Sequence, residues 1–518
     1  MGGKCLFYAD ISASVGENLR DVEKSRKSLI KVFYFTIMPY FPVIGLEIHC
    51  QLATKTKLFC GCEIEVNTEP NKHVCPVCLG LPGTLPVPNR EAVNLAIKLG
   101  LALNCEIDSR ALWTRKNYFY PDLPKGYQIT QTGGIPVYDH PVSKKGYIEI
   151  ISENGEKKRI GITRIHIEED AGKLVHDFSP ESSHFDANRC GTPLCEIVTE
   201  PDIRSPEDAV LVLQKIKQIL EYTGVSNANM ENGNMRCDGN ISIRKSEDAP
   251  YGTRAEIKNL NSFSNLQKAL EAEITLQSVT LDSGREVEQC TKRFDLNHNK
   301  TIVIRSKEDS HDYKYFPEPD LLRLFIDKSL VDSIRQNMPE LPDKRRNRFM
   351  QDFGLSEYDA QVLTADKDVS DWFDLASKTC KNPKILANWV TSELMRELKD
   401  MEGGISALKF KPQDLAQMVN LIENNTISGK IGKTVFAEML STGKDPDTIV
   451  KEKGLVQITD TGAIEAIVRK VIEANQSQWQ EFKGGKVQLR GFFVGQIMKN
   501  SGGKANPGVV NRLLDEIG

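Results

Sequence analysis

The pattern of hydrophobic residues changes once along the chain, near Pro339, and this change restricts the possible folds. Before it, short β-rich runs are separated by Gly, Asn, Asp and Pro, and helix-like segments interrupt them near residues 90–103, 206–222 and 264–281. After it, only helix-period segments follow. The pattern predicts an α+β protein in which a large, antiparallel-rich sheet domain precedes an all-helical region.

The same change suggests domain boundaries. Residues 1–37 are expected to be an N-terminal extension, 38–335 the sheet domain, 336–444 a helical domain and 445–518 a small helical tail. The extension carries acidic residues, which argue against an organellar presequence, and an alternative start at Met38 is favoured because strand-like sequence begins soon after it.

The charge and the cysteines of the chain limit the partners and the cellular compartment that it can have. The 518 residues include 67 Lys and Arg and 71 Asp and Glu, so the net charge is -4 and a nucleic-acid partner would need a local basic patch. No stretch approaches the roughly 20 apolar residues of a membrane helix. The 12 cysteines are unevenly placed, which favours a reducing compartment with one metal site.

Four cysteines form two close pairs: Cys60 and Cys62, then Cys75 and Cys78. Two pairs joined by a short loop can surround one tetrahedral ion, and four thiolates suit a structural Zn²⁺. Four thiols without a metal are the alternative interpretation.

Acidic and imidazole side chains occur on several predicted strands. Glu47 and His49 are two residues apart and share one strand face. The three carboxylates of the run Glu168-Glu169-Asp170 would repel one another unless a cation such as ATP-bound Mg²⁺ neutralised them. Strand alternation places Glu169 on the same face as Ile165 and Ile167. A solvated acidic turn is the competing interpretation.

Basic side chains accompany these acids. Glu196 lies on a strand after a Gly/Pro-rich turn, and Arg236 and Lys258 could neutralise phosphate. Single basic residues are more often ordinary surface. No P-loop, dinucleotide-binding glycine motif or serine nucleophile elbow is evident, so any ATP site would use a different scaffold.

Long ordered motifs resemble those of the GatB family, the B subunits of tRNA-dependent amidotransferases. They are VIGLEIH, CPVCLGLPGTLPV, RKNYFYPDLPK, IHIEEDAGK, NRCGTPLCEIVTEPD, EIKNLNSF, DYKYFPEPD, GFFVGQIMK and GKANP. The resemblance extends from about Val43 to the C-terminus.

This resemblance implies an architecture and a reaction. The sheet domain would be a cradle with a glutamine-synthetase-like sheet, followed by a helical domain and a tail similar to YqeY. The enzyme would be a ligase that phosphorylates the side-chain carboxylate of Glu-tRNA(Gln) or Asp-tRNA(Asn) with ATP. Ammonia from the glutaminase A subunit would then complete the amide, in a heterotrimer that also contains a C subunit.

The resemblance also assigns residues. Glu47, His49, Glu169 and Glu196 would be catalytic, and the last three would bind Mg²⁺, with Glu168 and Asp170 as the next candidates. Arg236 and Lys258 would contact phosphate, and Lys116, Tyr118 and Tyr120 would contact the acceptor end of the tRNA. Zn²⁺ would be bound by Cys60, Cys62, Cys75 and Cys78. The tRNA body would be contacted by Lys499, Lys504 and Arg512. Some family members lack the cysteines.

Three alternatives stay open at this stage. The chain could be a non-catalytic tRNA-binding scaffold, with the chemistry confined to a partner. The choice between Glu-tRNA and Asp-tRNA depends on which mischarged tRNAs the cell makes. A cytoplasmic, bacterial-type protein is expected, and a mitochondrial or plastid one is the alternative.

Overall fold

A computed structural model describes residues 40–65, 68–132, 136–179, 182–306, 313–458 and 460–517. The predicted extension at residues 1–37 lies outside this range. The chain divides into two compact units, the first ending at Met338 and the second beginning at Pro339. This boundary coincides with the change in periodicity.

The first unit contains the strands of the described chain. In order they are β1 (Phe41–Gln51), β2 (Glu106–Ile107), β3 (Arg110–Ala111), β4 (Thr114–Asn117), β5 (Tyr127–Thr130), β6 (Ser143–Ile151), β7 (Lys157–Glu169), β8 (Lys173–Ser179), β9 (Ser182–Asp186), β10 (Pro193–Thr199), β11 (Met235–Arg244), β12 (Ala255–Leu260), β13 (Cys290–Asp295), β14 (Lys300–Ser306), β15 (Phe316–Pro317) and β16 (Leu324–Phe325).

Twelve of these strands form one sheet. Its main order is β14-β13-β12-β11-β1-β10-β7-β5-β4-β15, and β6 pairs with both β7 and β2. The pairing is antiparallel except between β12 and β13. β8 with β9 and β3 with β16 form separate two-stranded sheets. The large sheet is therefore mixed but mainly antiparallel, as predicted.

Helices cover one face of this sheet. The first unit contains α1 (Arg90–Ala102), α2 (Pro206–Thr223), α3 (Phe263–Asp282) and α4 (Lys328–Gln336). α1 packs on β6 and β7, α2 on β6, and α3 on β11 and β12. On β1, Ile44, Leu46 and Ile48 are buried on this side. Each such burial contributes about 1.5–3 kcal/mol, so alternation forces Glu47 and His49 to the opposite face.

The helix boundaries follow local sequence signals. α2 begins at Pro206 because the Ser205 side chain accepts a hydrogen bond from the Asp208 N–H, and it ends where Gly224 takes φ 67°. Asn89 caps α1 in the same way. These are the helix positions that the sequence predicted.

The second unit is helical in its described residues. Its helices are α5 (Pro342–Phe353), α6 (Glu357–Ala365), α7 (Lys367–Ser377), α8 (Pro383–Asn388), a π-helix (Trp389–Leu394), α9 (Met395–Leu398), a 3₁₀ helix (Gly404–Ala407), α10 (Pro412–Glu423), α11 (Gly429–Thr442), α12 (Pro446–Glu452), α13 (Thr461–Ala474), α14 (Gln476–Lys483), α15 (Leu489–Asn500) and α16 (Pro507–Ile517).

Two hydrophobic clusters divide this second unit. One contains buried side chains between Phe349 and Val450, and the other those between Ile464 and Leu514. Ile449 and Val450 of α12 pack into the first cluster. The predicted boundary at 444/445 is thus too early, because α12 belongs with the helical domain. The cradle shape and the YqeY-like tail stay predictions.

Candidate active site

The polar face of the sheet carries a row of ionisable side chains. His49 on β1 is paired in register with Glu196 on β10 and with Arg236 on β11, and Glu196 is paired with His166 on β7. Residues paired in this way have neighbouring side chains on one face. Four strands that are distant in sequence therefore bring these groups together.

The centre of the row is the sheet-face cluster, which consists of His49, Glu168 and Glu196. His49 Nε2 lies 3.3 Å from Glu168 Oε1 and 3.2 Å from Glu196 Oε2. One ligand atom from each residue lies within 4.8 Å of the others. This spacing and the mixture of oxygen and nitrogen donors fit one divalent cation. The structure thus brings together His49 and Glu196, and their assignment as Mg²⁺ ligands stays a prediction.

The charges in the cluster hold one another in the ionised form. Burial alone would lower the pKa of His49, but hydrogen bonds with Glu168 and Glu196 raise it to about 10. Burial would raise the pKa values of Glu168 and Glu196, yet the neighbouring imidazoles lower both. The buried Glu168 and the partly buried Glu196 thus stay anionic and share positively charged partners.

Glu169 does not join this cluster, so the expectation that it binds the metal with His49 and Glu196 is corrected. Its Oε1 accepts hydrogen bonds from Lys125 Nζ and, at 2.9 Å, from the Ile129 N–H. The reason is strand alternation, since Glu168 shares a face with His166 whereas Glu169 points the other way. Glu168 takes the place assigned to Glu169.

Asp170, the other candidate ligand, pairs with basic groups instead. Its Oδ1 lies 3.0 Å from Arg236 and its Oδ2 lies 3.7 Å from Arg189, while Gln51 Nε2 donates to Oδ2 at 3.3 Å. These contacts fix the guanidinium of Arg236 at the end of the ionisable row. They support the prediction of a cationic group there without testing what it binds.

A second acidic group lies beside the first on the same sheet. One oxygen each from Glu47, Asp238 and Glu256 lies within a 4.8 Å span. Lys258 pairs with Asp238 at 2.8 Å, and the Asn240 amide donates to Glu47 at 3.0 Å. Burial and the charge of Glu196 raise the pKa of Glu47.

Aromatic and basic residues border the sheet-face cluster. Lys116 Nζ lies 5.0 Å from the Tyr313 ring centre and 5.9 Å from that of Tyr118. Burial would lower the pKa of Lys116, but the charges of Glu168 and Glu196 raise it. Tyr120 is exposed nearby in sequence. Lys116 therefore belongs electrostatically to the cluster, whereas the sequence suggested only a wall residue.

Sequence reasoning missed His166, Arg164 and Asp238. Arg164 lies 3.8 Å from Glu196 and two positions before His166 on β7. The alternation of Ile165 and Ile167 was the available signal, since it places Arg164, His166 and Glu168 together on the polar face. Asp238 gave no comparable signal, because an acid in a strand is usually solvated.

The cysteine cluster comprises Cys60, Cys62, Cys75 and Cys78, whose sulfur atoms lie within 4.8 Å of one another. The Sγ atoms of Cys75 and Cys78 are 3.9 Å apart. A tetrahedral Zn²⁺ with bonds of about 2.3 Å would place its sulfurs about 3.8 Å apart. The geometry and the four thiols therefore fit zinc.

Lys57 connects the cysteine cluster to the sheet. Its side chain is fully buried, and its Nζ lies 2.7 Å from the His73 carbonyl, 3.3 Å from the Ala187 carbonyl and 3.6 Å from Cys78 Sγ. A hydrogen bond from Cys60, together with the charge of Lys57, lowers the pKa of Cys78 to about 4. A buried ammonium thus compensates thiolate charge.

A cavity of about 210 Å³ separates the cysteine cluster from the Lys125–Glu169 pair. Gly80 forms part of its wall with φ 67°, and a Cβ there would meet Lys125 Cγ at 2.4 Å. Glycine is therefore required at this position, because the loop backbone rests directly on the lysine side chain.

The predicted tRNA-contacting residues lie in the last helices and the turn between them. Lys499 on α15 and Arg512 on α16 are exposed, and Lys504 lies in the intervening turn. Arg512 Nε lies 3.7 Å from Glu516. No membrane-spanning helix is found in the part of the chain that the structure describes.

Carboxylates, imidazoles and cations lie together on the polar face of a large sheet, and helices cover the other face. Such a sheet domain, followed by a helical unit, is the combination that two family models match. Residues 42–332 match the family model of the GatB/GatE catalytic domain, and residues 371–517 match that of the GatB domain. The chain belongs to the GatB family.

Relatives are similar over nearly their whole length. The B subunit of the aspartyl/glutamyl-tRNA(Asn/Gln) amidotransferase from Carboxydothermus hydrogenoformans is 52% identical over 478 residues, covering 92% of this chain and 98% of that protein. The corresponding B subunits from Brevibacillus brevis and Geobacter sp. are 50% and 51% identical, each over 92% of this chain and over 98% and 99% of their own lengths.

Proposed function

We propose that this chain uses ATP to phosphorylate the side-chain carboxylate of Glu-tRNA(Gln), Asp-tRNA(Asn) or both, and that ammonia then converts it to the amide. The observation that carries this proposal is the sheet-face cluster with cations around it. Lys116, Arg164 and Arg236 lie near carboxylates that are buried or partly buried, as the transfer of a charged phosphoryl group requires.

The reaction needs activation because a carboxylate oxygen is a poor leaving group. In the first step a carboxylate oxygen of the aminoacyl group forms a bond to the γ-phosphorus, the bond to the β,γ-bridging oxygen breaks, and ADP leaves. In the second step the ammonia nitrogen bonds to the acyl carbon, the carbon–oxygen bond to phosphate breaks, and the nitrogen loses a proton. The products are the amide and inorganic phosphate.

His49, Glu168 and Glu196 would hold a divalent cation, for which the family resemblance implies Mg²⁺. A bound cation supplies positive charge opposite phosphate oxygens and orients them. Arg236 and Lys258 are positioned by Asp170 and Asp238, so their charges need no rearrangement when an anion arrives. The aromatic side chains of Tyr118 and Tyr313 would border the acceptor end.

We further propose that the chain works with an A subunit that releases ammonia from glutamine and with a C subunit. The exposed Lys499 and Arg512 would contact the tRNA body. Contacts of this kind are salt-sensitive, because each neutralised phosphate releases counterions. Zn²⁺ in the cysteine cluster would be structural, since its four protein ligands leave no open position.

Amidation by the assembled complex tests this function. The full chain is reconstituted with A and C subunits and assayed on both Glu-tRNA(Gln) and Asp-tRNA(Asn), with ATP turnover followed in parallel. We expect Glu196→Gln to abolish amidation and tRNA-stimulated ATP turnover, while glutaminase activity survives. ATP turnover that persists after Glu196 and Glu168 are both neutralised would overturn the proposal in favour of a tRNA-binding scaffold.

A further inference from the structure

A fourth donor lies against the sheet-face cluster without a hydrogen-bonded partner. His166 is fully buried, and neither of its ring nitrogens makes a hydrogen bond within the described residues. Its Nε2 lies 3.5 Å from Glu196 Oε2 and 3.7 Å from Glu168 Oε2. A buried imidazole with both nitrogens unsatisfied is costly, so this arrangement requires an explanation.

The strand register explains why His166 is at this position. His166 precedes Glu168 by two residues on β7 and is the register partner of Glu196 on β10. His49 is the partner of Glu196 on the other neighbouring strand, β1. The two imidazoles therefore flank Glu196 from opposite sides, and each has its Nε2 within 3.7 Å of both carboxylates.

We infer that His166 is a fourth protein ligand of the cation at this centre, and that the centre prefers a first-row transition-metal dication such as Fe²⁺, Co²⁺ or Zn²⁺ to Mg²⁺. This inference rests on the proposed function, in which the cluster binds a divalent cation. Mg²⁺ favours oxygen donors and retained waters, whereas imidazole nitrogen suits the later transition metals. Two imidazoles with two carboxylates match that second group.

Two cations with different roles would then act in this protein. A cation that arrives with ATP would be coordinated mainly by phosphate oxygens and could approach the oxygen-only group of Glu47, Asp238 and Glu256. The cation at the sheet-face cluster would instead be held by protein side chains between nucleotide-binding events. His166 would act on the reaction by fixing that cation and the orientations of Glu168 and Glu196.

Paramagnetic NMR of the full chain with Co²⁺ tests the inference. An imidazole bound through Nε2 keeps an exchangeable Nδ1–H, which shifts strongly beside Co²⁺, and thiolates of the cysteine cluster produce no such signal. With ¹⁵N-labelled histidine, we expect two shifted ring N–H signals in the wild type. We expect one signal in His166→Gln and two in the control His298→Gln, since His298 is exposed and pairs with Asp295 in a distant turn.

Competition between Mg²⁺ and Co²⁺ for the centre provides a second measurement. Mg²⁺ should displace Co²⁺ from the wild type only at a large excess, and His166→Gln should weaken Co²⁺ binding by more than about tenfold. The wild-type signal count and the Mg²⁺ competition do not depend on the folding of a variant. A single shifted signal in the wild type, or equal affinity for Mg²⁺ and Co²⁺, would overturn the inference while leaving a His49-bound cation and the proposed function intact. No shifted signal at all would overturn both.

Discussion

The cysteine cluster and the sheet-face cluster are both compact groups of metal-binding side chains, but they are built differently. The four cysteines come from one stretch between Cys60 and Cys78, whereas His49, Glu168 and Glu196 come from three strands spread over nearly 150 positions. The first can form once its own loop folds. The second exists only when β1, β7 and β10 are paired in the correct register, so it depends on the whole sheet.

The donors differ as well. Four thiolates complete a tetrahedral shell and exclude a substrate. The sheet-face cluster combines imidazole nitrogen with carboxylate oxygens and has cations beside it. The thiolate set suits a structural role and the mixed set suits chemistry, and all of the following predictions except the last test that division.

The largest effect is expected from Glu168→Gln. Removing the buried carboxylate of the cluster should reduce amidation by about 10²–10³-fold or more, because a charged group that would position the reacting centre is lost. Zinc content should stay the same. Amidation assays on the reconstituted complex, together with metal analysis, measure both quantities.

Glu169→Gln is the matched control for that experiment. It changes the adjacent residue, which pairs with Lys125 instead of the cluster. It should keep cation binding at His49 and Glu196, but destabilise the fold by up to about 3–5 kcal/mol by leaving the ammonium of Lys125, whose side chain is 11% exposed, without its carboxylate partner. Loss of cation binding in Glu169→Gln, with retention in Glu168→Gln, would restore the assignment made from the motif.

The second prediction concerns the cysteine cluster. Replacing both Cys75 and Cys78 by Ser should remove about one equivalent of zinc and lower the melting temperature, since metal-binding free energy contributes to folding. The Co²⁺-shifted imidazole signals of the sheet-face cluster should remain in the folded fraction. If those signals vanish while the protein stays folded, the two clusters are not independent.

A smaller effect is expected from Lys57→Met. The variant keeps most of the side-chain volume but removes the ammonium that lies 3.6 Å from Cys78 Sγ. Zinc affinity should fall by about 10–100-fold, as is typical when a group that supports a metal ligand is lost. Competition with a chromogenic chelator measures it. Lys55→Met, at a nearby lysine with a more exposed side chain, should leave the affinity unchanged.

The smallest effect is expected from an ion-pair network outside both clusters. Hydrogen bonds from Arg348, and also from Arg345, lower the pKa of Glu340. Its contribution to stability is therefore present above the unfolded value of 4.5 and is lost as the pH falls through the lowered value. Because these groups are partly exposed, Glu340→Gln should cost less than about 1 kcal/mol at pH 7. Denaturant unfolding at pH 7 and pH 3 would show whether this difference disappears.

Local signals predicted a large part of this molecule. The capped ends of α2, the alternation of β1 and the spacing of the cysteines each depend on neighbouring residues, so they could be interpreted without the fold. The assignment of Glu169 failed for a different reason. Motif matching relied on an acidic run, although the alternation of Ile165 and Ile167 already placed Glu169 on the other face.

Other features had no local signal. Asp170 and Arg236 are 66 positions apart, and only the pairing of distant strands brings them within 3.0 Å. The boundary after α12 was also missed, because loop composition does not reveal which hydrophobic cluster a short helix joins. His166 differs from these, because the alternation of Ile165 and Ile167 did place it on the polar face; it was missed because a histidine between two isoleucines is typical of many strands.

Because the pairing of β7 with β10 contains an irregularity, the site depends on the exact number of residues in β7. Val198 pairs with Arg164 but Thr199 pairs with Ile162, so Thr163 is an extra residue on β7. Ile160 and Ile162 precede this bulge and Ile165 and Ile167 follow it, yet all four are buried. Deleting Thr163 would turn the downstream isoleucines toward water and drive His166 and Glu168 into the apolar layer. Thr163, which takes no part in the chemistry, thus determines which face of the sheet carries His166 and Glu168.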